Sequence, residues 1–136
     1  MELEFRAYDL RRQRMLKVKE IGLGGFNWIK CYSEQALGND LNFGHNEYKL
    51  MQWTGLLDKN KTKIFDGDII LYSNSLESGI GQISFDVGFN IEWFIKTVKT
   101  ENPVFSSPLF YFKCASELEV LGNKYQNNDL IERYGY

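Results

Sequence analysis

A chain of 136 residues that is 43% apolar and 15% aromatic is long enough to bury one core and too apolar to be disordered. Its 16 basic and 18 acidic residues leave a formal charge of −2, which removes the global field of a dedicated polyanion binder, so any nucleic-acid contact must be local. Two cysteines, Cys31 and Cys114, lie far apart and lack the C-x-x-C spacing of zinc or dithiol redox sites.

The start, MELEFRAYDLRR, has no apolar stretch behind a basic flank and so does not read as a signal peptide. No apolar run approaches the roughly 18 residues that cross a bilayer. A cytoplasmic location, reduced thiols and no membrane contact are therefore expected.

Leu3, Phe5 and Ala7 alternate with polar residues, and after DLRRQ the pattern resumes at Leu16 and Val18. Period-two alternation on both sides of a polar turn predicts a hairpin over 1–20, with Arg11, Arg12 and Arg14 solvated at its tip. A strand is expected from Phe26 to Tyr32, then a loop. In MQWTGLLDKNKTKIFDGDIILY, Met51 to Thr54 reads as a strand and Asp58 to Lys61 as a polar reversal. Thr62 to Phe65 is the returning strand. Asp66-Gly67 is a second tight turn, since glycine takes positive φ without steric cost, and it leads into Ile69 to Tyr72.

Two further strands are the clearest of all: Ile83, Phe85 and Val87, and then Phe89, Ile91, Trp93 and Ile95, parted by Gly88. Most of Phe85, Phe89, Ile91 and Trp93 should be core, as should Trp53. Central strands thus fill 48–98, an insertion-like segment with both prolines fills 99–115, and LEVLG forms a strand within 116–136. The closing NNDLIERYGY reads as a short helix capped by Asn127, Asn128 or Asp129. Short, evenly spaced strands with frequent turn signals predict a single mainly β domain, a small barrel or sandwich built from hairpins, with at most short helices.

Few residues offer chemistry. Asp66, Asp68 and Glu92 are an oxygen-rich set that could hold a hard cation, but turn-making and strand-starting explain both aspartates. Cys114 and His45 could pair as nucleophile and base, yet nothing brings the chain's one histidine to that cysteine. The glycines of GLGG lack the βαβ context of a dinucleotide site, and there is no phosphate-binding GxxxxGK loop. No catalytic residue, cofactor or metal ligand set is expected.

Lys59, Lys61 and Lys63 alternate across a turn near Trp53, and small β-folds bind nucleic acid with such cations and exposed aromatics. Solubilising lysines on a hairpin explain the same row. PVFSSPLFYF places Phe105, Leu109, Phe110 and Tyr111 in a proline-broken segment that is hard to bury in one small domain. A homo-oligomer with this segment at its interface is expected.

Three stretches, FRAYD at the start, MQWTGLLDKNKTKIFDGDIILY in the middle and EVLGNKYQNNDLI near the end, together resemble the YopX-type proteins of bacterial phages and prophages. Thr62, Phe65 and Asp66 depart from the residues usual in the central block. The resemblance implies a mainly β, SH3-like barrel or roll that is oligomeric and phage-encoded, and it supplies no reaction and no catalytic residues. The expected function is a non-enzymatic accessory protein that contacts a phage or host protein. The alternative is a nucleic-acid module using Lys59, Lys61, Lys63, Arg11, Arg12 and Arg14.

Overall fold

The computed structural model describes residues 3–22, 27–33, 38–73, 78–85, 88–97, 106–109 and 117–134. The chain divides into two compact units, Met1–Trp53 and Thr54–Tyr136. It is mainly β, with strands β1 Phe5–Asp9, β2 Arg14–Gly22, β3 Trp28–Cys31, β4 Leu41–Phe43 and β5 Tyr48–Leu57. These are followed by β6 Lys63–Phe65, β7 Asp68–Ser73, β8 Ser78–Phe85, β9 Phe89–Thr97, β10 Ser106–Pro108, β11 Leu118–Asn123 and the helix α1 Asn128–Tyr134.

One sheet has the order β4-β3-β2-β1-β5-β6 and the other β10-β9-β8-β7-β11. Each ends on different strands, so neither order closes on itself as a barrel does. Strand β5 crosses the unit boundary without a break, its first half pairing with β1 from Phe5↔Gln52 to Asp9↔Tyr48.

In the first unit the β1–β2 hairpin sets Ala7 opposite Leu16, and the β2–β3 pairing sets Val18 opposite Cys31 and Ile21 opposite Ile29. Partners across a ladder share a face. Ala7, Leu16, Ile29 and Cys31 therefore form one buried cluster, with Leu41, Phe43 and Tyr48 packed against it. The expected strand from Phe26 is shorter, starting at Trp28, and Phe26 lies outside the described residues.

The second unit buries Ile64, Ile70, Tyr72, Ile83, Ile91, Trp93, Leu109 and Leu118. The Trp93 and Tyr72 rings meet at 6.0 Å between centroids. Gly67 has φ 87, which an L side chain rarely adopts, so the Asp-Gly turn needs its glycine. Its N–H donates to the Ile83 carbonyl and its own carbonyl accepts from Lys124 N–H, which ties the turn to β8 and the segment after β11.

Most of Phe85, Phe89, Ile91 and Trp93 are core as expected, Ile91 and Trp93 buried and Phe89 packed against their cluster, with Phe85 the exception, while the expectation for Trp53 needs correction. Phe85 is 56% exposed. It is the last residue of β8, beyond the reach of the core, and rests edge-on against Phe89 at 4.9 Å. Trp53 is only half-buried. Among the described residues no helix is long and apolar enough to cross a membrane.

Candidate interaction surface

The turn that carries the lysines is built around Asp58. Its carboxylate is buried and accepts from Asn60 N–H at 2.8 Å and Thr62 N–H at 2.9 Å on one oxygen, and from Val120 N–H at 2.9 Å on the other. Lys61 completes the reversal in the left-handed region, at φ 64. Lys59 is not free for a partner: its Nζ lies 3.2 Å from Glu119, and its backbone N–H donates to Leu118. Lys61 and Lys63 are exposed. The first member of the row is thus already engaged by a carboxylate of β11.

Asp9 organises the arginine turn in a similar way. Its Oδ1 accepts from the N–H groups of Arg11 at 3.1 Å and Arg12 at 3.2 Å, while Arg14 Nε donates to Oδ2 at 3.1 Å. Burial pulls the Asp9 carboxyl pKa upward, but the Arg12 amide, the Arg14 guanidinium and the Arg11 amide outweigh it and hold it below 3.8. Of the three arginines expected to be solvated, Arg14 is a correction. Its side chain is 23% exposed and bound to Asp9, whereas Arg11 and Arg12 are exposed as expected. This turn and strand β4 enclose a pocket of about 200 Å³.

A third feature lies on β3. Ile29 and Cys31 point into the core, so Trp28, Lys30 and Tyr32 share the outer side of an extended chain. Trp28 is 42% and Tyr32 45% exposed. Trp28 lies across Gly22, where a Cβ would collide with its ring. Lys17 and Lys19 stand over the Tyr32 ring at 5.7 and 5.6 Å. Lys19 is bound to Asp40 at 2.9 Å, which holds its ammonium above the usual lysine range, while Lys17 lies 3.9 Å from Glu4 and Lys30 3.8 Å from Glu20. Tyr32, Lys17 and Lys19 border a groove of about 390 Å³ whose other wall includes Leu3 and Phe5.

With these elements placed, the family model described as YopX protein matches residues 4–132. The chain belongs to the YopX family. A structural relative of this YopX chain is protein EF1440 from Enterococcus faecalis, known from a crystal structure. The two share 22% sequence identity with a TM-score of 0.55, over 96% of this chain and 99% of the other, a likeness of fold. No curated protein matches the sequence.

The remaining candidate residues of the YopX chain do not come together. Asp68 is buried and accepts from Phe65 N–H at 2.7 Å, while Glu92 accepts from Ser84 Oγ at 3.0 Å. Among the described residues no group of three or more His, Cys, Asp or Glu is arranged to hold a metal ion. Cys114 lies outside the described residues, and His45 is exposed in a turn. The thiol of buried Cys31 is pushed up to about 11 by desolvation, with the charge of Asp9 adding to the shift. It stays protonated and is a poor nucleophile at neutral pH. Of the segment expected at an oligomer interface, Phe105, Phe110 and Tyr111 lie outside the described residues, and Leu109 is buried in its own unit's core.

The Trp28–Tyr32 face was not legible as a site. FNWIKCY has apolar residues at both parities, so alternation does not say which side is wet. The one available signal was Lys30, which shares the parity of both aromatics.

Proposed function

We propose that this YopX-family chain is a non-enzymatic interaction protein, encoded by a phage or prophage, that works in the host cytoplasm by binding a protein through the Trp28–Tyr32 face. The observation that carries this reading is the exposure of two large aromatic side chains, Trp28 at the start of strand β3 and Tyr32 just beyond its end, on one side of an extended segment. Tyrosine and tryptophan dominate binding hot spots, because they bury much area at little entropic cost. Around them each lysine has a carboxylate within ion-pair distance. Such a mixed, self-neutralised rim suits a protein partner, whereas tracking a phosphate backbone requires uncompensated positive charge. The finer description of the fold as an SH3-like roll belongs to the same proposal.

The test is recovery of the tagged chain from cells carrying the encoding phage, alongside a Trp28→Ala/Tyr32→Ala variant. A protein partner retained through nuclease treatment and lost from the variant is the expected result. Equal recovery by both forms would remove this face from the reading. A second reading, the nucleic-acid module, rests on exposed Lys61 and Lys63 and on the lysines flanking Tyr32. Recovery of nucleic acid that is released by salt, with no protein partner, would put it first.

Self-association is part of the proposal, with Phe105, Phe110 and Tyr111 as its expected contacts. Light scattering at micromolar concentration should give a mass above that of one chain, and a strictly monomeric mass rejects this element.

A further inference from the structure

We propose that the pocket between the arginine turn and β4 is a binding site for a phosphate monoester that carries an apolar or aromatic body. The pocket lies within the first unit and is independent of the Trp28–Tyr32 reading.

The backbone that carries its donors is braced before any ligand arrives. Asp9 fixes the turn through the N–H groups of Arg11 and Arg12 and through the Arg14 guanidinium. Gln13, at φ 55, closes it with an N–H to the Asp9 carbonyl at 2.8 Å. The Arg11 and Arg12 side chains leave this braced backbone and line the pocket, and their guanidinia make no ion pair or hydrogen bond among the described residues. Asn42, exposed on β4, also borders the pocket. A braced backbone leaves less ordering to be done on association than a mobile one.

Charge selects the ligand's sign. Both carboxylates in the lining are engaged, Asp9 with the turn and Glu47 with Gly44 N–H at 2.7 Å. Against these two stand three guanidinia, so an anion is favoured. The number of donor groups selects its shape. One carboxylate is satisfied by one planar guanidinium fork, whereas a phosphate monoester presents three strong acceptor oxygens that two guanidinia can share.

Size and floor select the rest. About 200 Å³ is below the roughly 300 Å³ at which sites for drug-sized ligands begin, so the pocket takes one charged group and a small attached body. Leu41 and Phe43, half-buried and anchored on the first unit's core, give that body an apolar surface.

Phenyl phosphate, methyl phosphate and dimethyl phosphate at constant ionic strength are the probes, read by amide chemical shifts of the full chain. Phenyl phosphate should give saturable shifts at Arg11, Arg12 and Asn42 with millimolar affinity, and methyl phosphate should bind several-fold more weakly for want of the apolar contact. The diester, with a single negative charge and two blocked oxygens, should bind at least tenfold more weakly than phenyl phosphate. Arg11→Ala/Arg12→Ala, two exposed positions, should reduce phenyl phosphate binding tenfold or more with the thermal midpoint unchanged. Lys61→Glu should leave that binding unaltered. Equal affinity for monoester and diester, unchanged binding by the double arginine variant, or no saturable shift at 20 mM would each overturn the site.

Discussion

Replacing Asp58 with alanine should destabilise the second unit by about 3 kcal/mol and lower the thermal midpoint by roughly 10 °C. The carboxylate is buried and accepts three backbone N–H groups, those of Asn60, Thr62 and Val120. Asn60 and Thr62 are exposed, so water replaces part of what they lose, while Val120 lies within strand β11 and is half-buried. An orphaned buried donor costs about 1–3 kcal/mol, so the loss at Val120 dominates. Asp58→Asn keeps one acceptor oxygen and turns an amide donor toward an N–H, and should recover about half of the loss. Thermal denaturation followed by circular dichroism reads both variants. A midpoint shift of less than about 2 °C for the alanine variant would show that the turn is held by its backbone alone.

The second large effect belongs to Asp9. Asp9→Ala should cost about 2–3 kcal/mol, below the 3–5 kcal/mol of a fully buried pair because the Arg14 side chain is 23% exposed and can reach water. The interaction has a sign in pH. Its carboxyl titrates lower in the folded protein than the ordinary 3.8, because the Arg11 and Arg12 amides and the Arg14 guanidinium outweigh the cost of burial. A group of depressed pKa stabilises the fold above its unfolded value, and that stabilisation is lost as pH falls through its folded value. The stability difference between the wild type and Asp9→Asn should therefore be constant from neutral pH down to about pH 5 and shrink in the window below 3.8. A difference that instead grows on acidification would contradict the assignment. The alanine variant should also loosen the Arg11 and Arg12 backbone, so its phenyl phosphate affinity should fall together with its stability.

Residues near one another in sequence made the hairpins legible. The alternation of Leu3, Phe5, Ala7, Leu16 and Val18 around DLRRQ led directly to β1 and β2, and Asp66-Gly67 led to the turn before β7. The central block was read correctly in the order and place of its strands, although β5 runs over Tyr48–Leu57 where only Met51 to Thr54 was expected, and the match to the YopX family model covers the same ground. What could not be read were bonds made at a distance. Nothing in DKNKTK says that Asp58 reaches Val120 or that Glu119 comes to Lys59. Nor does the local pattern commit Arg14 to Asp9, since charged turn residues are usually solvated. The division after Trp53 has no linker signal, because β5 runs through it as one unbroken strand.

The two oxygens of Asp58 also belong to different clocks. One accepts from residues two and four positions ahead, a loop that an unfolded chain closes in less than a microsecond. The other waits for a residue 62 positions away, and at a synthesis rate of about 5–20 residues per second that residue emerges roughly 3 to 12 s later. Until then the finished turn holds an anion with one oxygen still in water. The arrival of β11 removes that water and locks the turn, so the last strand made completes a structure begun near the middle of the chain.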